Sequence, residues 1–107
     1  MFGFIRDNDK KGYASLNDKQ LRAHLWASLA HNQLRARIEC DGAVSAVCTY
    51  GFDHARKLIQ VYGLVGDLDF VRFMRRSWHA YFPFYNVFFY RNGVERHYKH
   101  NLDFKRN

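Results

Sequence analysis

The plainest chemistry in this chain belongs to its cations. Arg75, Arg76, Arg91, Arg96, Lys99, Lys105 and Arg106 can each contact a phosphate or a carboxylate, and Arg72 precedes Arg76 by one helical turn. Trp26, Tyr81, Tyr85, Tyr90 and Tyr98 are interspersed with them and would stack on bases wherever they are exposed. The histidines have blander uses. His31 follows a helical stretch, where an imidazolium complements the helix dipole, and Asp53 sits in the turn 51–54, where an aspartate accepts from the amides just after it. His97-x-x-His100, even with His79 nearby, lacks the carboxylate or thiolate partners of a metal site, and no motif calls for a cofactor.

The elements that must position these groups fit one domain. At 107 residues with 48% hydrophobic and 18% aromatic content, the chain can bury a core rather than stay disordered. Its formal charge of +7 creates a field that attracts a polyanion, an anionic surface or an acidic protein. The cations come in scattered pairs, Lys10-Lys11, Arg35/Arg37, Arg56-Lys57 and Arg75-Arg76, so any basic patch must be assembled by folding. The start has no continuous apolar run before Asp7 and no stretch is long enough to span a bilayer, so the expected location is cytoplasmic. Aromatic side chains this numerous also leave room for a homo-oligomer or another buried partner surface.

Residues 1–14 are turn-rich, with Phe2, Phe4 and Ile5 to bury, and read as an arm or edge strand. Ser15-x-x-Asp18 has the form of a capping box opening a helix over 15–31, with Leu21, Leu25 and Leu29 as its core stripe. A hairpin follows over 34–50. With 41–43 as its loop, Ile38, Cys40, Val44, Ala46 and Cys48 share one face, and Cys40 and Cys48 stand about 13 Å apart, beyond disulfide reach. Residues 57–90 form the centre: a strand to Tyr62, a glycine turn over 63–66, a helix over 67–82 ended by Pro83, and a strand from Asn86. Asp67 is the expected N-cap; Val71, Met74, Trp78 and Tyr81 form the helix stripe, widened by Phe70 and Phe73. This β-turn-α-β unit sets two parallel strands side by side. Asn92-Gly93 favours a hairpin in 91–107, although Val94 to Asn101 could form a short helix, and Phe104 in the tail could dock. The fold class is α+β, a mixed, mainly antiparallel sheet of about five strands with two main helices.

The order of elements, helix, two antiparallel strands, strand, glycine turn, helix and strand, resembles the central part of the GNAT acyltransferase fold. That family holds an acyl-CoA pyrophosphate on the amides opening the helix after the glycine turn. Here Asp67 and Asp69 stand at that place, and at about 5 Å and an effective dielectric of 20 each repels a phosphate by roughly 3 kcal/mol. More faintly, the chain resembles the RTX-toxin-activating lysine acyltransferases, which take an acyl group from an acidic carrier protein. The shared marks are Leu25-Trp26-Ala27-Ser28 before His31, Ala46-Val47-Cys48-Thr49-Tyr50, Asp53 before Arg56-Lys57-Leu58-Ile59, Gly66-Asp67, and Met74-Arg75-Arg76 leading to Phe82-Pro83. That resemblance implies His31 as general base and Asp53 as its orienting carboxylate. It also implies that Arg72, Arg75 and Arg76 steer the carrier.

Three functions therefore stand open at the level of the sequence. The first is a small basic GNAT-like module with reduced or absent catalytic machinery, used in binding or assembly as small basic proteins of phages and mobile elements are. The second is an acyltransferase acting on a lysine or amine. The third is a nucleic-acid-binding protein. For an interaction protein, Phe2, Phe84 and Phe88 are the expected anchors if exposed. A groove between the strands ending at Tyr62 and beginning at Asn86, rimmed by His31 and Asp53, is the feature that would favour catalysis.

Overall fold

The computed structural model describes residues 1–9, 12–91 and 93–98. It is an α+β fold in which α1 (Phe2–Asn8) and α2 (Asp18–Ala30) precede β1 (Leu34–Ile38), β2 (Val44–Asp53) and β3 (Leu58–Val65). α3 (Leu68–Tyr81), β4 (Asn86–Arg91) and β5 (Val94–Tyr98) complete it. The sheet order is β1-β2-β3-β4-β5, and every neighbouring pair is antiparallel except β3 with β4. The two main helices expected from sequence are α2 and α3.

Both faces of the central strands are used. On one face Ala46, Cys48 and Tyr50 of β2 and Ile59 and Val61 of β3 pack under Phe70, Met74 and Trp78 of α3. On the other, Val47 and Val65 pack under Ile5, Tyr13, Leu21 and Leu25. The buried α3 stripe runs at four-residue steps through Phe70, Met74 and Trp78, whereas Val71 lies half-buried and Phe73 and Tyr81 are exposed. The stripe expected from Val71 to Tyr81 is thus rotated toward Phe70, because a helix lying across a twisted sheet presents the i, i+4 ridge. Asp67 caps the helix as expected, accepting from the Phe70 amide at 2.9 Å. α3 ends at Tyr81, two residues before Pro83.

Several local expectations give way. Residues 1–14 are not an arm or edge strand: Phe2–Asn8 is helical, with Ile5 buried and Phe2 packed against the same cluster. Arg6 ties the following connection down by donating to the Leu16 carbonyl at 2.6 Å. α2 begins at Asn17 rather than Ser15, because Asn17 and Gln20 satisfy one another's amides reciprocally, at 2.8 and 2.9 Å. Its buried stripe is Leu21, Leu25 and Ser28, leaving Leu29 outside.

In the hairpin, Ile38 pairs with Val44 and Arg37 with Ala46, so the loop covers 39–43 and Ser45 is absorbed in a bulge. Cys48 therefore faces Arg35 rather than Ala36, Ile38 is exposed, and Cys40 lies exposed in the loop instead of in the core. Both cysteines are free, and burial pushes the Cys48 thiol well above its ordinary pKa. The expected glycine turn at 63–66 is strand as far as Val65. Gly63 is needed there because the Tyr13 ring occupies the space a side chain would fill. At the far edge, Arg91 pairs with Val94 and Gly93 has φ +76, so the hairpin forms. Lys99, His100, Lys105, Arg106 and the docking expected of Phe104 lie outside the described residues.

Candidate functional site on the bare half of the sheet

α1 and α2 cover only part of their face of the sheet. Toward β4 and β5 no described helix covers the same face, and the register lines up Gly51, Gln60, Phe88 and His97 in one row across four strands. Glycine at the β2 position leaves a hollow, and Tyr62 leans into it: a Cβ on Gly51 would stand 2.5 Å from the Tyr62 hydroxyl. Tyr62 shares the face of Gln60 by strand alternation, and a bulge leaves it without a partner in β2, since Thr49 pairs with Gly63 and Tyr50 with Val61. The result is a cavity of about 280 Å³, floored by Gln60 and Phe88 and walled by Tyr62, Tyr90, Asp53 and Glu95.

Its position follows from strand pairing. β3 and β4 are hydrogen-bonded from Leu58/Asn86 to Val61/Phe89 and part beyond that point, although both strands continue. Carboxyl ends of parallel strands are where open sheets commonly accept ligands. The cavity differs from the groove expected there: it lies over the strands from Leu58 to Tyr62, on the side away from α3, and Asp53 lines it but His31 does not.

The polar groups divide into committed and available ones. Glu95 accepts from the Tyr90 hydroxyl at 3.3 Å and pairs with His97 Nε2 at 2.7 Å; the histidine contact holds its carboxyl below the usual range. Asp53 Oδ1 accepts the Arg56 amide at 3.1 Å, the local turn role expected of it. The Gln60 amide and the Tyr62 hydroxyl make no hydrogen bond among the described residues, while the Arg56 guanidinium acts on Glu95 through its charge and helps keep that carboxylate ionised. Tyr62 and Tyr90 are 44% and 55% exposed, enough to offer an aromatic surface.

Behind Tyr62 lies a buried polar chain that the sequence reading missed. The Tyr13 hydroxyl donates to the Gly63 carbonyl at 2.9 Å and lies 2.8 Å from Thr49 Oγ1, which is in turn 2.8 Å from His24 Nε2. Since the Tyr13 proton goes to Gly63, Thr49 donates to Tyr13 and accepts from His24, which fixes the proton on Nε2. Burial lowers the His24 pKa and raises that of Tyr13. The His24 ring stands edge-on to Tyr62 at 5.4 Å, bracing the cavity wall. The available signal was spacing: His24 lies beside Leu25 on the Leu21–Ser28 side of α2.

The residues singled out from sequence are not gathered here. Asp53 lines the cavity, but His31 caps the end of α2, is exposed and shares no hydrogen bond or ion pair with Asp53. Arg72, Arg75 and Arg76 ride on α3, behind the sheet; Arg72 is 3.9 Å from Asp69. Arg91 is in β4, and Arg96 is exposed on β5 opposite Phe89. Of the expected anchors, Phe84 is exposed while Phe88 is buried.

The head of α3, where the GNAT resemblance implies a phosphate site, is already filled. Arg37 forms a two-pronged contact with Asp67, at 3.1 and 2.9 Å, while Asp67 caps the helix; Arg37 is the first cause holding that carboxyl at about 2. Among the described residues no group of three His, Cys, Asp or Glu could hold a metal ion, and no helix is long and apolar enough to cross a membrane. No protein-family model matches the chain, and neither a curated protein nor a solved structure does.

Proposed function

We propose that the chain is a noncatalytic binding module on a GNAT-like core, with the cavity at the parting of β3 and β4 as its ligand site. The observation that carries this reading is the Asp67–Arg37 pair at the head of α3. An anion arriving there must displace a carboxylate that already satisfies both a helix amide and a guanidinium, so the acyl-CoA cradle of that fold is self-occupied. His31 and Asp53 share no hydrogen bond, and Asp53 accepts the Arg56 amide instead, which supports a reading without the base-and-orienter pair that acyl transfer would use.

The test is calorimetric and kinetic together. Coenzyme A titrated into the protein should give no saturable heat, and acyl transfer from an acyl thioester to an amine should not exceed the uncatalysed rate. Turnover that falls in His31→Ala or Asp53→Ala would overturn the reading.

A second reading is favoured by the exposed Tyr62 and Tyr90 beside Gln60 and Arg56: the cavity takes bases of a single-stranded nucleic acid. Its mark is oligonucleotide affinity that falls steeply with salt and drops on Tyr90→Ala by the roughly 1–3 kcal/mol of one stacked base. Retention indifferent to Tyr90 would discard it.

A further inference from the structure

A second opening lies between α1, α2 and the start of β1, away from the β3–β4 cavity. It encloses about 210 Å³, with Phe2, Leu25 and Leu34 beneath and Trp26, Leu29 and Arg22 at the rim. Trp26 is 73% exposed and Leu29 56%, while the Arg22 guanidinium sits 4.5 Å over the Phe2 ring. Among the described residues no carboxylate lines the groove, and the nearby Asp18 is held by Arg6 at 3.1 Å.

The outer face of α2 has a polarity. Lys19, Arg22, Trp26 and Leu29 recur at i, i+3, i+7 and i+10, so one stripe about 15 Å long begins with two exposed cations and ends with two exposed apolar side chains. Trp and Arg are the residue types that dominate binding hot spots, and an apolar trough beside a helix suits the apolar face of another helix. From this pattern we propose that the groove docks an acidic amphipathic helix of a partner protein. Its apolar residues enter beside Trp26 and Leu29, and its carboxylates face Lys19 and Arg22.

Charge chooses this occupant over the alternatives. In a second copy aligned parallel, Lys19 and Arg22 would meet the same cations. Aligned antiparallel along the full stripe, the apolar end would meet the cationic end. Two chains of +7 also repel each other. A lipid surface is broad and flat, whereas this opening is a bounded apolar recess in which Phe2 and Leu25 lie beside the exposed Trp26 and Leu29.

The test uses the full chain and two synthetic amphipathic helices of about 18 residues, one with leucine and glutamate faces, the other with lysine in place of glutamate. Trp78 is buried, so a shift in tryptophan emission reports Trp26. The glutamate peptide should bind saturably, move the emission to the blue and weaken as salt is raised; the lysine peptide should not bind. By anisotropy of labelled peptide, Trp26→Ala and Leu29→Ala should each weaken binding at least about tenfold. These residues are exposed, so circular dichroism and melting should be unchanged. Lys19→Glu with Arg22→Glu should exchange the peptide preference, a gain that misfolding cannot imitate. Equal affinity for both peptides or indifference to Leu29 would overturn the proposal. So would an emission shift with phosphatidylglycerol vesicles but not with the glutamate peptide, which would assign the groove to a membrane surface. A doubled solution mass abolished by Leu29→Glu would assign it to a second copy.

Discussion

The two faces of the sheet are built on opposite principles. Under α3 the face is dry, with aromatic and aliphatic side chains interlocked and Tyr50 meeting Trp78 edge-on at 5.6 Å. The opposite face is covered at one end by α1 and α2 and holds the Tyr13–Thr49–His24 chain there; at the other end no described helix lies over it, and Gln60, Tyr62, Tyr90 and Glu95 surround the cavity. The contrast teaches that the α3 face is given over to packing, while the other face combines a second packed core under α1 and α2 with an end whose polar and aromatic groups are available for recognition. Polar side chains that pack less apolar area are tolerated where the rest of the structure already holds the strands in register.

The contrast can be broken most severely from the dry side. Trp78→Ala should lower unfolding free energy by about 3–5 kcal/mol in denaturant melts, because the vacated volume lies among Tyr50, Met74 and their neighbours. A cost below about 1 kcal/mol would mean that α3 is not packed as described. On the other face, Thr49→Val takes the acceptor from the half-buried His24 donor and should cost about 1 kcal/mol. At the cavity end Tyr90→Ala should stay within about 0.5 kcal/mol of the parent in stability, since the side chain is exposed, while weakening whatever the cavity binds.

Titration sharpens the comparison with smaller effects. Burial lowers the His24 pKa from its ordinary 6.5, so the folded chain binds this proton less readily than the unfolded chain. The resulting stabilisation is complete above that pH and is lost as pH falls below it, so His24→Gln should flatten the stability profile just below pH 6.5. Asp67 acts in a lower window. Its carboxyl is depressed from 3.8 to about 2, first by Arg37 and then by the Phe70 amide, so its contribution is present above pH 3.8 and vanishes as pH falls toward 2. Asp67→Asn should blunt acid unfolding in that range; an unchanged acid limb would show that the Arg37 contact contributes nothing to the fold.

How far the sequence carried varies with the range of the interaction. α3, its Asp67 cap and its stop before Pro83 were legible because cap chemistry, helical spacing and proline geometry act within a few residues. So was the terminal hairpin, from Asn92-Gly93. The first helix was not: Phe2 and Ile5 are too few to mark a period, and Phe2–Asn8 is anchored by burial against Leu21 and Val47 and by Arg6 reaching across to Leu16. Gly63 looked like a turn because glycine permits one, but the Tyr13 ring from fifty residues away makes it a strand position. The candidate site was legible only at Asp53. Gln60, Tyr62, Phe88 and His97 come together through register and a bulge, which no single segment encodes.

By itself, then, the amino-acid order determined the class of fold, the parallel pair joined through α3 and the strongly positive charge, all of which follow from local pattern and composition. Tertiary structure alone decided that His24 joins Thr49 and Tyr13, that Asp53 meets the cavity while His31 only ends α2, and that Arg37 closes the head of α3. Those outcomes depend on which distant side chains compete for the same space and the same hydrogen bonds, and that competition exists only once the strands have been placed side by side.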